Sequence, residues 1–334
     1  MCMTGGVNQT GSLCKARSTP LFFLACCRLT SPDYEQRDAN TFAAWGADLL
    51  KCKYVQRFST TLANSLADDN CYSEISAGYP NVDYDPPVSP YGRYAKMKEA
   101  LVNKGRSMLY QICDWGVDFP SAWAPEIGNT WRVTNDIVPV WSTIYRIVNQ
   151  VVSQTIYAGP HQWLDLDMLE VGNNIFTIPE EQTHFTLWAI LKSPLVIGCA
   201  LNDTLTSINP DSLAILKNAV VISYNQDSLG VPANLTRRWT AEGYDIWSGP
   251  LSGNRTVAAL VNWNNSTLDA TLNLPDVGLQ SAGVVRDVWN NLTVKNVQTG
   301  YKSSIPAHGT LLLELSDVTP AGYYSVKSHE RQHS

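Results

Sequence analysis

From about residue 44 to residue 230 the chain alternates short apolar runs with amphipathic stretches, the rhythm of βα units. The runs Ala47–Lys51, Ser107–Cys113, Thr130–Thr134, Trp163–Asp165 and Leu195–Gly198 read as strands. Tyr94–Lys104, Val138–Gln154 and Pro179–Leu191 read as helices. The last opens with Pro179-Glu180-Glu181, where a proline and two acids suit a helix N-terminus. These units predict a parallel sheet, either closed as a barrel or left open. Polar residues recur just after the strands: Asp69-Asn70-Cys71, Asp114-Trp115, Arg132 and Asp136, Asp165 and Asp167, Asn202 and Asp203. In a barrel such loops all face one end. In an open sheet ligands gather at a single crevice.

After residue 235 the pattern changes. Alternating apolar and polar positions mark Tyr244–Ser248, Thr256–Trp263, Ala270–Leu274, Val284–Asp287 and Thr310–Leu315, joined by Gly, Asn and Pro turns. That predicts an antiparallel β domain, a sandwich, over residues 236–316. The polar tail 317–334 is expected to be disordered, which leaves residues 1–235 to the parallel domain.

Composition narrows the function. With 44% apolar and 16% charged residues the chain can bury a large core. A net charge of −6 disfavours nucleic acid or an anionic membrane surface as partner, since both need a basic face. No apolar run reaches the length of a membrane span. Leu21–Cys27 imitates a signal peptide, but it starts far from Met1 and lacks a clean cleavage site. Eleven Trp and fifteen Tyr raise carbohydrate as a ligand, because aromatic faces stack on sugar C–H surfaces, although core filling also uses them. Glycosylation triplets start at Asn8, Asn202, Asn234, Asn254, Asn264, Asn265 and Asn291, which points to a secreted protein. The eight Cys form no CxxC pair and no His stands at ligand spacing, so neither metal nor cofactor is expected. His161 and His184 receive no chemical role.

Five segments carry the chemistry. Lys51 is followed later by Asp69-Asn70-Cys71-Tyr72. Then come Cys113-Asp114-Trp115-Gly116, Trp131-Arg132-Val133-Thr134-Asn135-Asp136-Ile137, Asp165-Leu166-Asp167-Met168-Leu169 and Asn225-Gln226-Asp227-Ser228-Leu229-Gly230. In this order they resemble the α-galactosidases of glycoside hydrolase family 27, most closely the fungal ones, from about residue 2 to 316 with two interruptions. The resemblance implies a (β/α)₈ TIM barrel, incomplete at its start, followed by a C-terminal antiparallel β-sandwich. It implies retaining removal of terminal α-linked galactose from oligosaccharides or galactomannan. Such hydrolysis needs two carboxylates roughly 5–5.5 Å apart, one attacking the anomeric carbon and one protonating the leaving oxygen. By resemblance Asp69 is the nucleophile and Asp136 the acid/base.

Other roles also follow from the resemblance. Lys51 and Asp167 would hydrogen-bond ring hydroxyls, and Arg132 would contact the C2 side. Met168 would pack beneath the sugar, Trp115 would form a wall, and Cys113 would line the pocket as a thiol. On the residues alone, Lys51 could equally be a rim salt bridge, and Trp115 and Cys113 could be core. Cys2 would pair with Cys71 in a disulfide. Sister specificities are an α-N-acetylgalactosaminidase or a β-L-arabinopyranosidase; Trp115 near C2 leaves little room for an N-acetyl group. A non-catalytic fragment is the rival outside enzymes.

The chain departs from the family in two ways. The family's signal peptide and first three strands, with an Asp-Asp pair and a Trp that grip galactose, do not precede Met1. Residues 14–33 and 52–68 also interrupt G-S-L-Y-Y-E and K-Y-D-N-C-Y. Both start with Cys-Lys and end with Asp, codons that can hide fungal splice signals whose removal would leave Tyr at each join. They read as translated introns, with surface loops as the alternative. As introns they should be irregular and add nothing to the core. The chain as written is expected to have little or no activity, and its respliced, completed parent to be active.

Overall fold

In the computed structural model of the protein, the described residues are 24–28, 35–53, 89–103, 105–200 and 208–322. Five parallel strands form one sheet: β1 (Leu24–Arg28), β2 (Leu49–Lys53), β3 (Leu109–Cys113), β4 (Thr130–Arg132) and β5 (Trp163–Asp165). Their spatial order is strictly sequential. A doubly wound sheet reverses direction at a switch point, whereas a barrel adds every strand on the same side. This is a barrel arc. Gln111 on β3 reaches past β4 to hydrogen-bond Asp165 on β5, as the concave face of a curved sheet allows.

Helices pack outside it: α1 (Glu35–Ala44), α2 (Tyr91–Val102), α3 (Trp141–Val151), α4 (Ile178–Ile190), α5 (Pro210–Leu216) and α6 (Ala219–Asn225). In α3 the buried residues Thr143, Ile144, Ile147, Val148 and Val151 form one stripe at helical spacing. In α4, Thr177 and Glu180 close a reciprocal capping box, so the helix starts at a fixed point. Ten of the 13 residues of α4 are buried, because the β domain covers its outer side.

The β domain comprises β6 (Asn234–Trp239), β7 (Tyr244–Leu251), β8 (Arg255–Asn262), β9 (Leu268–Asn273), β10 (Leu279–Asp287), β11 (Leu292–Val297), β12 (Gly300–Ile305) and β13 (Thr310–Pro320). Six strands form one sheet in the order β11-β10-β13-β8-β7-β6, and β12 pairs with β9 opposite. Side chains alternate between two cores. Leu311, Leu313 and Leu315 with Ala258 and Leu260 face the sandwich interior. Leu312, Val257, Ala259, Val261 and Trp247 face the barrel helices. The central strands are therefore apolar on both sides, and the two domains share one continuous core. Thr183 of α4 donates to the His308 carbonyl at 2.6 Å and meets Thr310 Oγ1 at 2.7 Å, so the seam is also hydrogen-bonded.

Three expectations need correction. Residues 14–33 and 52–68 do not stay wholly outside the fold: Leu24–Arg28 forms β1, paired in register from Leu24↔Leu49 to Arg28↔Lys53. Cys52 lies fully buried in β2 and is disulfide-bonded. The physical reason is local. Leu21–Cys27 is an apolar run of strand length, and the outer edge of β2 offers unpaired N–H and C=O groups that such a run satisfies. The rest of both segments lies outside the described residues. Second, Leu195–Gly198 is no full strand but a single parallel bridge, Leu169↔Ile197. Pro194 lacks an N–H to extend a ladder. Third, β13 runs to Pro320, where it meets Leu279, so residues 317–320 are ordered. Sequence reading also missed β6, β11 and β12, whose polar edge positions mask the alternation.

Gly198 sits against the Leu169 carbonyl, where an added Cβ would come within 2.5 Å of that oxygen. Gly198→Ala must push the bridge apart, at a cost of about 1–3 kcal/mol typical of overpacking. A urea unfolding curve should show a lower midpoint with an unchanged slope. An unaltered midpoint would mean that the bridge gives way freely.

His184 is fully buried in α4 and stacks edge-on to Trp188 at 4.0 Å, with Nε2 accepting the Glu170 N–H at 3.0 Å. Burial pushes its pKa down to about 3. The unfolded imidazole titrates near its ordinary 6.5, so this contribution to stability is complete above that pH and drains away as pH falls toward 3. Stability of the parent should fall more steeply over that window than that of His184→Gln, which keeps an acceptor for Glu170. Equal slopes in denaturation at pH 7, 5 and 4 would reject the assignment.

Candidate active site

The sheet's consecutive strand ends bring the candidate residues to one face. Lys51 lies in β2, Cys113 ends β3, Arg132 ends β4 and Asp165 ends β5, with Arg132 and Asp165 directly paired. Trp115, Asp136, Asp167 and Met168 follow these ends within four residues. Parallel strands impose this clustering, because every crossover returns the chain to the same end.

Arg132 is the hub. It is 2% exposed, and its Nη2 lies 2.9 Å from Asp136 Oδ1 and 2.7 Å from Asp167 Oδ2. It also approaches the buried Cys113 thiol at 4.0 Å and donates to the Thr134 carbonyl at 3.4 Å. Burial alone would lower its pKa, but Asp167, Asp136, Cys113 and Asp165 outweigh that and raise it. Lys51 shows the same balance: burial opposes its charge, while Cys113, Asp165 and Asp167 outweigh burial and the repulsion of Arg132, so its pKa rises. Both cations are thus held by one acidic cluster.

Asp167 is fixed from four directions. Besides Arg132, its Oδ2 accepts the Ile137 N–H at 2.7 Å, its N–H donates to Asp165 Oδ1 at 2.9 Å, and its carbonyl accepts from Trp188 Nε1 at 2.7 Å. Its φ of 81° is costly for a residue with a Cβ, and such strain persists only where surroundings over-determine it. Asp136 differs: its side chain is 27% exposed, so it meets Arg132 on one side and solvent on the other. Arg146 of α3 grips the Asp136 carbonyl at 3.0 Å and also bonds the Asn135 side chain. The loop is therefore clamped while the carboxyl stays accessible.

Trp115 has φ 59°, followed by Gly116 at 86°, so the backbone turns sharply after β3 and leaves the indole half-buried. Met168 is also half-buried. Asp114 between Cys113 and Trp115 is buried, and among the described residues neither carboxyl oxygen has a hydrogen-bond partner. Burial, with Asp118 adding repulsion, pushes its pKa well above the carboxylate range. Among the described residues no group of His, Cys, Asp and Glu could hold a metal, and no helix is long and apolar enough to cross a membrane.

Of the sequence-derived candidates, Lys51, Cys113, Trp115, Arg132, Asp136, Asp167 and Met168 belong to these strand ends. Asp69, Cys71 and Cys2 lie outside the described residues. Sequence reasoning missed the supporting residues Gln111, Arg146 and Trp188. Gln111 had a signal, since an amide inside an apolar strand needs a partner.

Comparison with known proteins agrees with this arrangement. The family model "Alpha galactosidase A" matches residues 24–227, and the model "Alpha galactosidase C-terminal beta sandwich domain" matches residues 241–315. A "Probable alpha-galactosidase D" of Aspergillus flavus is 58% identical over 87% of this chain and 42% of its own length. The "Alpha-galactosidase D" of Emericella nidulans is 50% identical over 87% of this chain and 41% of its own. The chain thus spans less than half the length of these curated relatives. The crystal structure of α-galactosidase I from Mortierella vinacea superposes with a TM-score of 0.75 at 30% identity, over 90% of this chain and 78% of that one. The two family models together cover the barrel arc and the sandwich behind it, and the chain belongs to the α-galactosidase family of glycoside hydrolases.

Proposed function

We propose that the protein, in its respliced and completed form, is a retaining exo-α-galactosidase that cleaves terminal α-linked galactose from oligosaccharides or galactomannan outside the cell. The observation that carries this reading is the half-exposed Asp136 held by the buried Arg132, which the same guanidinium ties to Asp167. Asp136 is the acid/base. It protonates the glycosidic oxygen as the bond breaks, then takes a proton from the water that hydrolyses the glycosyl-enzyme. Asp69 is the nucleophile that forms that intermediate. Lys51 and Asp167 bond the ring hydroxyls, Arg132 contacts the C2 side, and Trp115, Met168 and Cys113 line the pocket. No metal or cofactor takes part. Cys2 and Cys71 pair as a disulfide, and the glycosylation triplets suit an extracellular enzyme.

Made in the respliced, completed form, Asp136→Asn separates the two carboxylate roles. A galactoside with a poor leaving group needs the acid, so its glycosylation rate should fall about 10²–10⁴-fold. A dinitrophenyl galactoside leaves unaided and should lose far less, whereas Asp69→Asn should abolish both. Equal losses on the two substrates for Asp136→Asn would remove it from the acid role. Proton NMR of the first-formed sugar should show the α-anomer.

Arg132→Lys keeps a charge but loses the planar fork that reaches two carboxylates. Its kcat/KM should fall at least about 10²-fold, the scale of a misplaced catalytic group. Activity within threefold of the parent would deny Arg132 its positioning part.

A further inference from the structure

The loop after β8 contains two overlapping glycosylation triplets, Asn264-Asn265-Ser266 and Asn265-Ser266-Thr267. The two asparagines stand in opposite environments. Asn264 Nδ2 donates to the Glu242 carbonyl at 2.8 Å, the Gly243 carbonyl at 3.4 Å and Asn262 Oδ1 at 3.0 Å. The fit is close: a Cβ on Gly243 would lie 2.3 Å from Asn264 Oδ1. A sugar on that nitrogen would break the loop's own hydrogen bonds and collide with the β6–β7 turn. Asn265 is exposed, and its side-chain amide meets only His308 Nε2 at 2.7 Å among the described residues, with the rest of the group open to solvent.

Asn265 also lines a pocket of about 360 Å³ between the first turns of α3 and the β6–β7 hairpin. That volume lies within the roughly 300–1,000 Å³ of small-molecule sites. One wall is aromatic. Trp141 and Trp263 have ring centroids 5.8 Å apart, Tyr145 meets Trp263 edge-on at 5.0 Å, and His308 stacks on Trp141 at 4.7 Å. A pyranose presents C–H bonds on its face, and their partial positive charge suits the negative face of an indole. The exposed Asn265 amide therefore stands at the rim of a surface suited to a sugar ring.

We propose that Asn265, and not Asn264, carries an N-linked oligosaccharide whose first N-acetylglucosamine lies against the Trp141–Trp263 wall. The transfer forms a bond from Asn265 Nδ2 to the sugar's C1 as the C1–O bond to a polyprenyl-diphosphate donor breaks. The amide gives up one proton and the diphosphate departs with the bonding electrons. The inference rests on the extracellular part of the function proposed above and on nothing in the catalytic assignment.

The chain secreted from yeast behind a leader decides the matter by glycopeptide mass spectrometry. Ser266→Ala removes only the Asn264 triplet and should leave the loop's glycan in place. Thr267→Ala removes only the Asn265 triplet and should abolish it. Digestion of the native protein with peptide N-glycosidase tests the seating. The Asn265 glycan should be released at least tenfold more slowly than from Trp263→Leu, whose platform is gone. A glycan on Asn264, or one at Asn254 or Asn291 with Asn265 bare, overturns the proposal. Equal release from the parent and Trp263→Leu overturns the seating. A chain bare at every triplet overturns the proposal, and none of these outcomes bears on the catalytic assignment.

Discussion

A guanidinium buried to 2% exposure holds the site together, and the surrounding structure is arranged to make that burial tolerable. An unpaired charge at this depth would cost several kcal/mol. Arg132 is compensated by two carboxylates, a carbonyl and a nearby thiol. The compensating groups come from the end of β3 and from the loops after β4 and β5, so these contacts also fix β3, β4 and β5 relative to one another. Removing one partner from such a pair typically costs about 3–5 kcal/mol, more than any single van der Waals contact in the site. The arrangement trades stability for position.

Position is then enforced from behind. Asp167 holds its left-handed backbone because Trp188 donates to its carbonyl, and Trp188 is fully buried on α4. α4 is fixed by its Thr177–Glu180 capping box and by Thr183 and Thr186, which bond the β domain at His308, Thr310 and Trp289. A chain of packed and hydrogen-bonded contacts thus runs from β13 through α4 to Asp167. Through this chain the sandwich holds the helix that holds the carboxylate. That explains why its central strands are apolar on both faces: one face is its own core and the other is the barrel's.

Much of this was legible in sequence, for identifiable reasons. Trp163–Asp165 was located residue for residue, and α3 and α4 to within three residues at each end, because their apolar spacing is strong. The polar residues after each strand were visible because they interrupt apolar runs. Leu195–Gly198 misled because a run of apolar residues looks the same whether it forms a ladder or one bridge, and the decisive contact, Gly198 on the Leu169 carbonyl, is long-range. β11 was invisible because all but one of its residues are exposed, leaving no alternation to read. At the site, the order of motifs pointed to Arg132, Asp136 and Asp167, but not to Gln111, Arg146 or Trp188. Those act on other site residues, and only a folded chain shows whom they touch. Strand β1 is the opposite failure: strand propensity belongs to the residues themselves and is indifferent to how a segment came to be in the chain.

Asp114 shows how far the same physics extends along one loop. Three acids, Asp114, Asp136 and Asp167, lie near the ends of successive strands. Two share the Arg132 guanidinium, while the carboxyl of the third has no hydrogen-bond partner among the described residues. Without a cation or donor, burial favours the neutral acid, and Asp118 adds to the penalty on its anion. The site therefore gathers its negative charge on the side where Lys51 and Arg132 stand and suppresses it on the other side of Cys113. The cleft thus combines one acidic cluster, the buried Arg132 beside a half-buried Lys51, and one carboxylate, Asp136, left open to solvent.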